Sequence, residues 1–291
     1  MDNGIYQEII YLRDQSNITI KGNSGDNMAV SIQYDNDNSY NGGTGKGTSF
    51  DQFAPIGTPV TSGGRSVMTI CGKSEHIRFE NVTIENTNCR YRGFGEALYI
   101  DNESAAFVNC RLIGYQDTLL PGGGYNWFYQ CYIEGATDFI WGSGKVVLFE
   151  DCELHAPTGT RAVMQARVTK DYLGYVFDRC RFTVGAGYQS TLIYQYEPDN
   201  LTFLNCTFAD TYGQNFVEKN KPLVPNQPTV TEGCKMYGCT NESGAEFYNL
   251  IPEAVRATVR NLNESEFNAN FGSREKIMSW DSNADASWFQ E

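Results

Sequence analysis

Residues 128–133 read "FYQCYI", and five other hexapeptides along the chain repeat this pattern. Each has Phe first, a polar residue third, Cys or Val fourth and an apolar residue last. The other five are "FENVTI" (79–84), "FVNCRL" (107–112), "FEDCEL" (149–154), "FDRCRF" (177–182) and "FLNCTF" (203–208). Alternation of apolar and polar side chains predicts that each hexapeptide is a half-buried strand.

The spacing of the hexapeptides predicts the fold. Their fourth positions recur every 21 to 28 residues, an interval that fits one coil of a solenoid. Leucine-rich repeats have similar periods, but the Leu-x-x-Leu-x-Leu signature and a helical half-repeat are missing from the sequence. We therefore predict an all-β, single-stranded, right-handed parallel β-helix that spans residues 1–291 as one domain, with inward-facing ladders of Phe and Cys.

Three segments depart from the repeat. Residues 35–65 are rich in Gly, Asn and Ser, which predicts a long lateral loop. The repeat fades after Thr211, so residues 211–291 are expected to form a tail and cap. Within them, "IPEAVRATVRNL" (251–262) has apolar residues at helical spacing and predicts a C-terminal capping helix. Residues 218–233 are expected to run extended along the side of the solenoid.

The charge of the chain limits its partners. There are 35 acidic and 22 basic residues, a formal net charge of -13, and no basic run, so binding to a nucleic-acid backbone is not expected. No stretch approaches the roughly 18 to 20 consecutive apolar residues that cross a bilayer. We expect a monomer without a nucleic-acid or membrane partner.

Cysteine and histidine usage bears on redox state and metal binding. Nine Cys is an odd number, and five of them share one repeat position, which indicates buried core side chains in a reducing compartment. A local disulfide between Cys234 and Cys239 in a secreted protein is the alternative. With two His, far apart, and no CxxC pair, a zinc site is not expected.

Two acids keep the same distance from the repeat. Asp117 and Asp138 each follow a repeat cysteine, Cys110 and Cys131, by seven residues, so they are expected to face each other on adjacent coils about 4.8 Å apart. At that separation two carboxylates repel by roughly 3 kcal/mol, which splits their protonation midpoints by about two units. One ionised and one protonated acid suit an ester hydrolase or a retaining glycosidase equally, and capping of turns is a third explanation.

The sequence around these acids resembles the pectin methylesterases, which remove methyl groups from homogalacturonan. "GYQDTL" (114–119) and "YIEGATDFIWG" (132–142) are similar to the two acidic motifs of that family, in order and spacing. Further similarity lies in "GIYQE" (4–8), "GEALYI" (95–100), "VMQAR" (163–167) and "YGCTNESGAE" (237–246). Family members usually have earlier residues that form a first coil and its cap, so the chain is expected to be part of a longer product.

The resemblance implies a role for individual residues. Asp138 would be the nucleophile, Asp117 the general acid and base, and Gln116 an oxyanion donor through its amide N–H. No metal or organic cofactor is implied. Substrate contacts are expected from Glu96, Tyr115, Phe139, Trp141, Arg167, Tyr194 and Tyr196.

Two positions depart from the family pattern. Glu96 stands where the family has a second oxyanion Gln, and it can donate a hydrogen bond only when protonated. Alignment of "LIYQY" (192–196) with the family's Leu-Gly-Arg-Pro-Trp segment puts Tyr194 in place of an Arg that orients the nucleophile. We expect Arg167 or Arg161 to reach the site from a neighbouring coil.

The sequence thus predicts hydrolysis of galacturonate methyl esters in pectin, homogalacturonan or methylated oligogalacturonides. Two alternatives stay open: a β-helical carbohydrate-binding relative without catalysis, and a Ca²⁺-dependent pectate lyase-like enzyme. The compartment is left open between extracellular and cytoplasmic.

Overall fold

The computed structural model describes residues 1–37, 65–88, 94–158, 161–169, 171–195, 200–219, 233–281 and 284–290. Almost all regular structure in them is parallel β-strand, arranged in three sheets. The first sheet contains, in spatial order, β1 (Gly4–Gln7), β4 (Val30–Tyr34), β7 (Thr83–Asn86), β10 (Arg111–Ile113), β13 (Tyr132–Glu134), β16 (Glu153–Ala156), β19 (Arg181–Val184), β22 (Thr207–Phe208) and β25 (Thr240–Asn241). The second contains β2 (Ile10–Arg13), β5 (Met68–Cys71), β8 (Leu98–Asp101), β11 (Leu119–Pro121), β14 (Ile140–Gly142), β17 (Met164–Ala166), β20 (Ile193–Gln195) and β23 (Val217–Lys219).

The third sheet completes each coil. It contains β3 (Ser16–Lys21), β6 (Glu75–Glu80), β9 (Ser104–Val108), β12 (Tyr125–Tyr129), β15 (Val146–Glu150), β18 (Gly174–Asp178), β21 (Leu201–Leu204), β24 (Cys234–Tyr237) and β26 (Arg260–Asn261). Except for β24 and β26, neighbours within a sheet are three strands apart in the chain, so the chain visits the three sheets in turn and each coil stacks on the previous one. The predicted parallel β-helix is confirmed.

The repeat hexapeptide is a corner and not one strand, so that part of the prediction is wrong. In "FYQCYI", β12 ends at Tyr129, Gln130 has a φ of 52°, and β13 begins at Tyr132. The third residues of the other hexapeptides also have positive φ: Asn81, Asn109, Asp151, Arg179 and Asn205. The first, fourth and sixth side chains all point into the core, and the turn at the third residue is what brings the first and the fourth to the same side.

Two ladders of side chains fill the interior. The Phe residues of successive hexapeptides stack with nearly parallel rings, and the centroids of Phe128 and Phe149 are 4.9 Å apart. The Cys residues stack beside them, and each thiol donates to a backbone carbonyl of the preceding coil, as Cys131 Sγ does to Phe107 O at 3.3 Å. Every cysteine in the described part of the chain is free and buried, including Cys234 and Cys239, so the alternative disulfide is not formed.

The C-terminal region has several short helices. They are α1 (Thr211–Gln214), α2 (Glu253–Arg256), α3 (Glu264–Asn270), α4 (Arg274–Met278) and 3-10 turns at Phe247–Leu250 and Ala286–Trp288. The helix predicted over 251–262 is only the single turn α2, because the chain then extends as β26 and pairs with β24. Helices α3 and α4 pack instead on the outer face of the third sheet, in a second apolar cluster that includes Trp127 and Leu148.

Two predicted segments fall largely outside the described residues. The lateral loop of 35–65 is described only up to Asp37 and again at Arg65, and the segment of 218–233 only at its ends. Within the described part of the chain, no helix is both long and apolar enough to cross a bilayer.

Candidate active site

The corner that leads into the second sheet is tight because glycine occupies one side of it. A Cβ at Gly135 would lie 2.2 Å from Phe139 Cβ and 2.5 Å from Thr118 Oγ1. Gly114, one coil earlier, is similarly placed, 2.6 Å from the same hydroxyl. The absence of these two side chains lets the chain turn closely enough to present the acid three residues further on.

Three carboxylates occupy the same position on successive coils. Leu98, Leu119 and Ile140 are partners in the second sheet, and Glu96, Asp117 and Asp138 each lie two residues before one of them. A parallel bridge between Gln116 and Thr137 extends this register to the corner itself. The two predicted acids therefore stack on adjacent coils, and Glu96 adds a third member to this carboxylate column.

A buried arginine joins two members of the carboxylate column. Arg65 Nε lies 3.1 and 3.0 Å from the two carboxylate oxygens of Glu96, and Nη2 lies 2.7 Å from Oε1. The same Nη2 donates to Asp117 Oδ2 at 3.0 Å. The side chains of Arg65, Glu96 and Asp117 are 9%, 0% and 12% exposed, so little water screens these contacts.

Asp138 has a different environment on the other side of the column. Gln165 Nε2 donates to its Oδ2 at 3.2 Å, and Arg167 Nη2 donates to Gln165 Oε1 at 2.6 Å. Its Oδ1 is buried without a hydrogen-bond partner among the described residues. The carboxylate is thus held by one amide and is not directly ion-paired with any described cation.

The two acids differ in proton affinity. Burial, with the negative charges of Glu96 and Asp138, raises the pKa of Asp117 to about 8, against the opposing effect of Arg65 and Arg167. Burial also raises the pKa of Asp138, but only to about 6, because the nearby Arg161 and Arg167 favour its ionised form. Near neutral pH this arrangement favours a protonated Asp117 beside an ionised Asp138.

Aromatic rings flank the carboxylate column on the outer face of the second sheet. The partly exposed Trp141 ring lies between two guanidinium groups, 5.6 Å from that of Arg65 and 4.8 Å from that of Arg167. Tyr194 is buried under the Arg161 guanidinium at 4.3 Å, and Arg161 in turn pairs with Glu218 at 3.2 Å. Of the two arginines expected near the site, Arg167 contacts Gln165, which in turn contacts Asp138, and Arg161 lies over the Tyr194 ring.

Two of the predicted substrate contacts are wrong. Phe139 is completely buried in the core, because the strand alternation that turns Trp141 outward turns Phe139 inward. Glu96 is also completely buried and is covered by Arg65, so its side chain is not exposed to a substrate. Tyr196 lies outside the described residues.

The remaining predicted residues lie at the corner. Tyr115 and Gln116 are half-buried, and the carbonyl of Tyr115 accepts from the Ala136 N–H at 2.6 Å. The side-chain amide of Gln116 makes no hydrogen bond to another described residue, so it stays available as the predicted oxyanion donor.

Arg65 and Gln165 were missed from the sequence. Gln165 lies in "VMQAR", and the similarity of this segment to the family was the available signal; in the structure it pairs with Trp141 in β14–β17. Arg65 is the last residue of the segment assigned to the lateral loop, and it lies three residues before β5, which pairs with the strand that follows Glu96. Among the described residues, no group of three His, Cys, Asp or Glu side chains is arranged to hold a metal ion.

Comparisons with known proteins show what this parallel β-helix, with its paired acids at the start of one sheet, is similar to. The pectinesterase family model matches residues 58–191, which include both acidic motifs. This match places that segment in the pectinesterase family, as the motifs predicted, and supports a carboxylic ester hydrolase. No curated protein sequence matches the chain.

Solved structures of pectin methylesterases share the fold at low sequence identity. The enzyme from carrot superposes with a TM-score of 0.74 at 16% identity, over 100% of this chain and 86% of that one. The enzyme from Aspergillus niger gives 0.72 at 18% identity over the same shares. A pectin methylesterase in complex with a hexasaccharide gives 0.68 at 18% identity, over 95% of this chain and 86% of that one.

Proposed function

We propose that this chain hydrolyses methyl esters of galacturonate residues in homogalacturonan and releases methanol. The observation that carries the proposal is the pairing of Asp117 and Asp138 on adjacent coils in environments that separate their pKa values, to about 8 and about 6. Two acids of unequal proton affinity provide a nucleophile and a proton donor at the same pH. The family match and a structural neighbour that binds a hexasaccharide support the substrate class.

In the first half of the reaction, the ionised Asp138 attacks the carbonyl carbon of the C6 methyl ester. The charge that develops on the carbonyl oxygen is stabilised by the side-chain N–H of Gln116. As the C–O bond to the methoxy group breaks, Asp117 delivers its proton, so that methanol leaves and an acyl-enzyme anhydride stays on Asp138.

In the second half, Asp117 is a carboxylate and acts as the base. It takes a proton from water, and the resulting hydroxide adds to the acyl carbon. Collapse of this intermediate releases the galacturonate carboxylic acid, which ionises in water, and returns Asp138 as a carboxylate and Asp117 as an acid. Trp141 offers a partly exposed ring against which a sugar can pack.

The test is methanol release from highly methylated homogalacturonan, with and without a chelator. The wild-type chain is expected to release methanol in both conditions, and Asp138→Asn to lose the activity by at least about 1,000-fold because an amide is not a nucleophile. Asp151→Asn is the matched control, since Asp151 also has a positive φ at a coil corner but lies remote from the carboxylate column and pairs with Arg179.

Each alternative has its own outcome. A binding protein would release no methanol from either form and would retain affinity for the polymer in Asp138→Asn. A lyase would produce unsaturated uronate ends, seen by ultraviolet absorbance, and the chelator would abolish them. Either result would overturn the esterase proposal.

A further inference from the structure

Arg65 and Glu96 form the most buried ion pair of the site, and their contacts with the column are unequal. Of the hydrogen bonds that the Arg65 guanidinium makes to described residues, three go to Glu96, at 3.1, 3.0 and 2.7 Å, and one goes to Asp117, at 3.0 Å. The guanidinium is therefore bound mainly by Glu96 and donates a single hydrogen bond to Asp117.

The position of this guanidinium is fixed from several sides. It lies 4.6 Å from the centre of the Phe94 ring and 5.6 Å from that of Trp141. The Asn86 side chain donates to the backbone carbonyl of Glu96 at 3.1 Å and to that of Arg65 at 3.5 Å, which holds the two coils together at this point. A guanidinium held in this way presents its N–H to Asp117 in a fixed position.

Glu96 limits how strongly Arg65 can bind and stabilise the Asp117 carboxylate. A buried carboxylate without a partner is costly, so Glu96 retains Arg65 as its counterion. With Glu96 absent, the same guanidinium would be free to bind both oxygens of Asp117, the geometry that arginine favours with carboxylates. Glu96 thus prevents Arg65 from trapping Asp117 as a permanent carboxylate.

We propose that Arg65 and Glu96 are a positioning pair for Asp117: Glu96 holds the arginine back so that Asp117 can carry a proton, and the arginine stabilises the carboxylate once the proton has been given to methanol. The catalytic part of this inference rests on the proposed function. Among the described residues, the charged groups that act on Asp117 are Glu96, Arg65, Asp138 and Arg167, and the pair supplies one of the two acids and one of the two arginines.

The two members of the pair have opposite effects, which makes the inference testable. Glu96→Gln removes a negative charge and frees the arginine, so the pKa of Asp117 falls and the alkaline limb of the pH–rate profile moves to lower pH. Arg65→Met removes the cation, so the pKa rises and the limb moves to higher pH. We expect each shift to be about one pH unit or more, equivalent to a tenfold change in proton affinity. Arg65→Lys, which keeps the charge, should restore most of the wild-type limb.

A double variant keeps the test decisive if Arg65→Met does not fold. Arg65→Met leaves Glu96 buried without its counterion and is expected to be the least stable single variant. The double variant Arg65→Met/Glu96→Met removes both buried charges, and its alkaline limb should fall between those of Arg65→Met and Glu96→Gln. A structural role alone would lower activity in all variants without separating the limbs by sign, and that result would overturn the proposal.

An NMR titration of Asp117 without substrate tests this inference independently of the proposed function. In protein labelled with ¹³C on aspartate carboxyl groups, the Asp117 resonance is assigned by its loss in Asp117→Asn and followed against pH by NMR. The titration midpoint should move down in Glu96→Gln and up in the double variant relative to Glu96→Gln. If the wild type releases no methanol, the proposed function fails while this titration still decides the role of the pair. If the Asp117 midpoint is the same in the wild type, in Glu96→Gln and in the double variant, the proposed role of the pair is wrong.

Discussion

Gln165 donates a hydrogen bond from Nε2 to Oδ2 of Asp138 across one coil spacing, at 3.2 Å, and is itself held by Arg167. The proposed nucleophile is therefore held by a neutral amide, while Arg167 contacts it only through Gln165. In this chain the position that the family resemblance assigned to an orienting arginine is occupied by Tyr194, which is buried beneath Arg161.

This relationship predicts that Gln165→Leu lowers kcat more than it changes KM. Leucine fills a similar volume but cannot donate to Asp138, and a hydrogen bond to a charged group contributes about 1.5 to 3 kcal/mol, or roughly ten- to a hundredfold in rate. Initial rates of methanol release against substrate concentration give the two constants. Asn126→Leu removes a comparable buried amide on the third sheet, which bonds Gly123 O at 2.7 Å, and should leave the kcat of the folded fraction unchanged. Equal losses in the two variants would argue against an orienting role.

The pKa values of the two acids predict a bell-shaped pH profile. The rate should rise with pH as Asp138 ionises, with a midpoint about 6, and fall as Asp117 loses its proton, with a midpoint about 8. Measurements of kcat/KM for methanol release between roughly pH 4 and 10 test this. A rate that keeps increasing beyond the second midpoint would show that a protonated Asp117 is not required.

The same burial predicts that Asp117 lowers stability as the pH rises. Its pKa is about 8 in the folded protein and 3.8 ordinarily, so between those values the folded state holds a proton that the unfolded chain has lost. The stabilising contribution is complete below the ordinary pKa and is lost as the pH increases to about 8. Asp117→Asn stays neutral, so it should exceed the wild type in stability at pH 8 by about 1 to 3 kcal/mol and resemble it at pH 4.

Denaturant unfolding of both proteins at the two pH values measures this difference. The comparison is made within each pH, because other carboxylates also titrate over the range. A variant that is less stable than the wild type at pH 8 would mean that the contact with Arg65 outweighs the cost of burying the Asp117 charge.

The glycine beside Thr118 predicts a steric effect on the site. In Gly135→Ala the new Cβ would overlap Phe139 Cβ, at 2.2 Å, so the corner that presents Asp138 must open. We expect a loss of stability of about 1 to 3 kcal/mol and a fall in kcat of at least tenfold. Gly25→Ala is the matched control, since a Cβ there has no described atom within 4 Å, and it should change neither quantity. Thermal unfolding and methanol release measure the two effects, and full activity in Gly135→Ala would show that the corner can relax.

The prediction of the fold succeeded because the coils of a solenoid repeat the same pattern of buried residues at a regular spacing in the sequence. The Phe and Cys positions of each hexapeptide must face the same core in every coil, so their spacing reports the coil length directly. The hexapeptide itself was misread as one strand. Its first and fourth side chains are three positions apart, so both can face the core only because the backbone turns between them, as at Gln130 with its φ of 52°.

The sequence alone determined that Asp117 and Asp138 would meet, since their separation of 21 residues equals one coil and parallel pairing then brings them together. The sequence could not determine which side chains outside that repeat contact the two acids. Arg65 reaches Asp117 across 52 residues and Gln165 reaches Asp138 across 27, and neither interval is set by the 21-residue coil that carries the acids. Which cation is buried against which acid, and hence which acid keeps its proton, depends on side-chain packing between coils, and only the tertiary structure decided it.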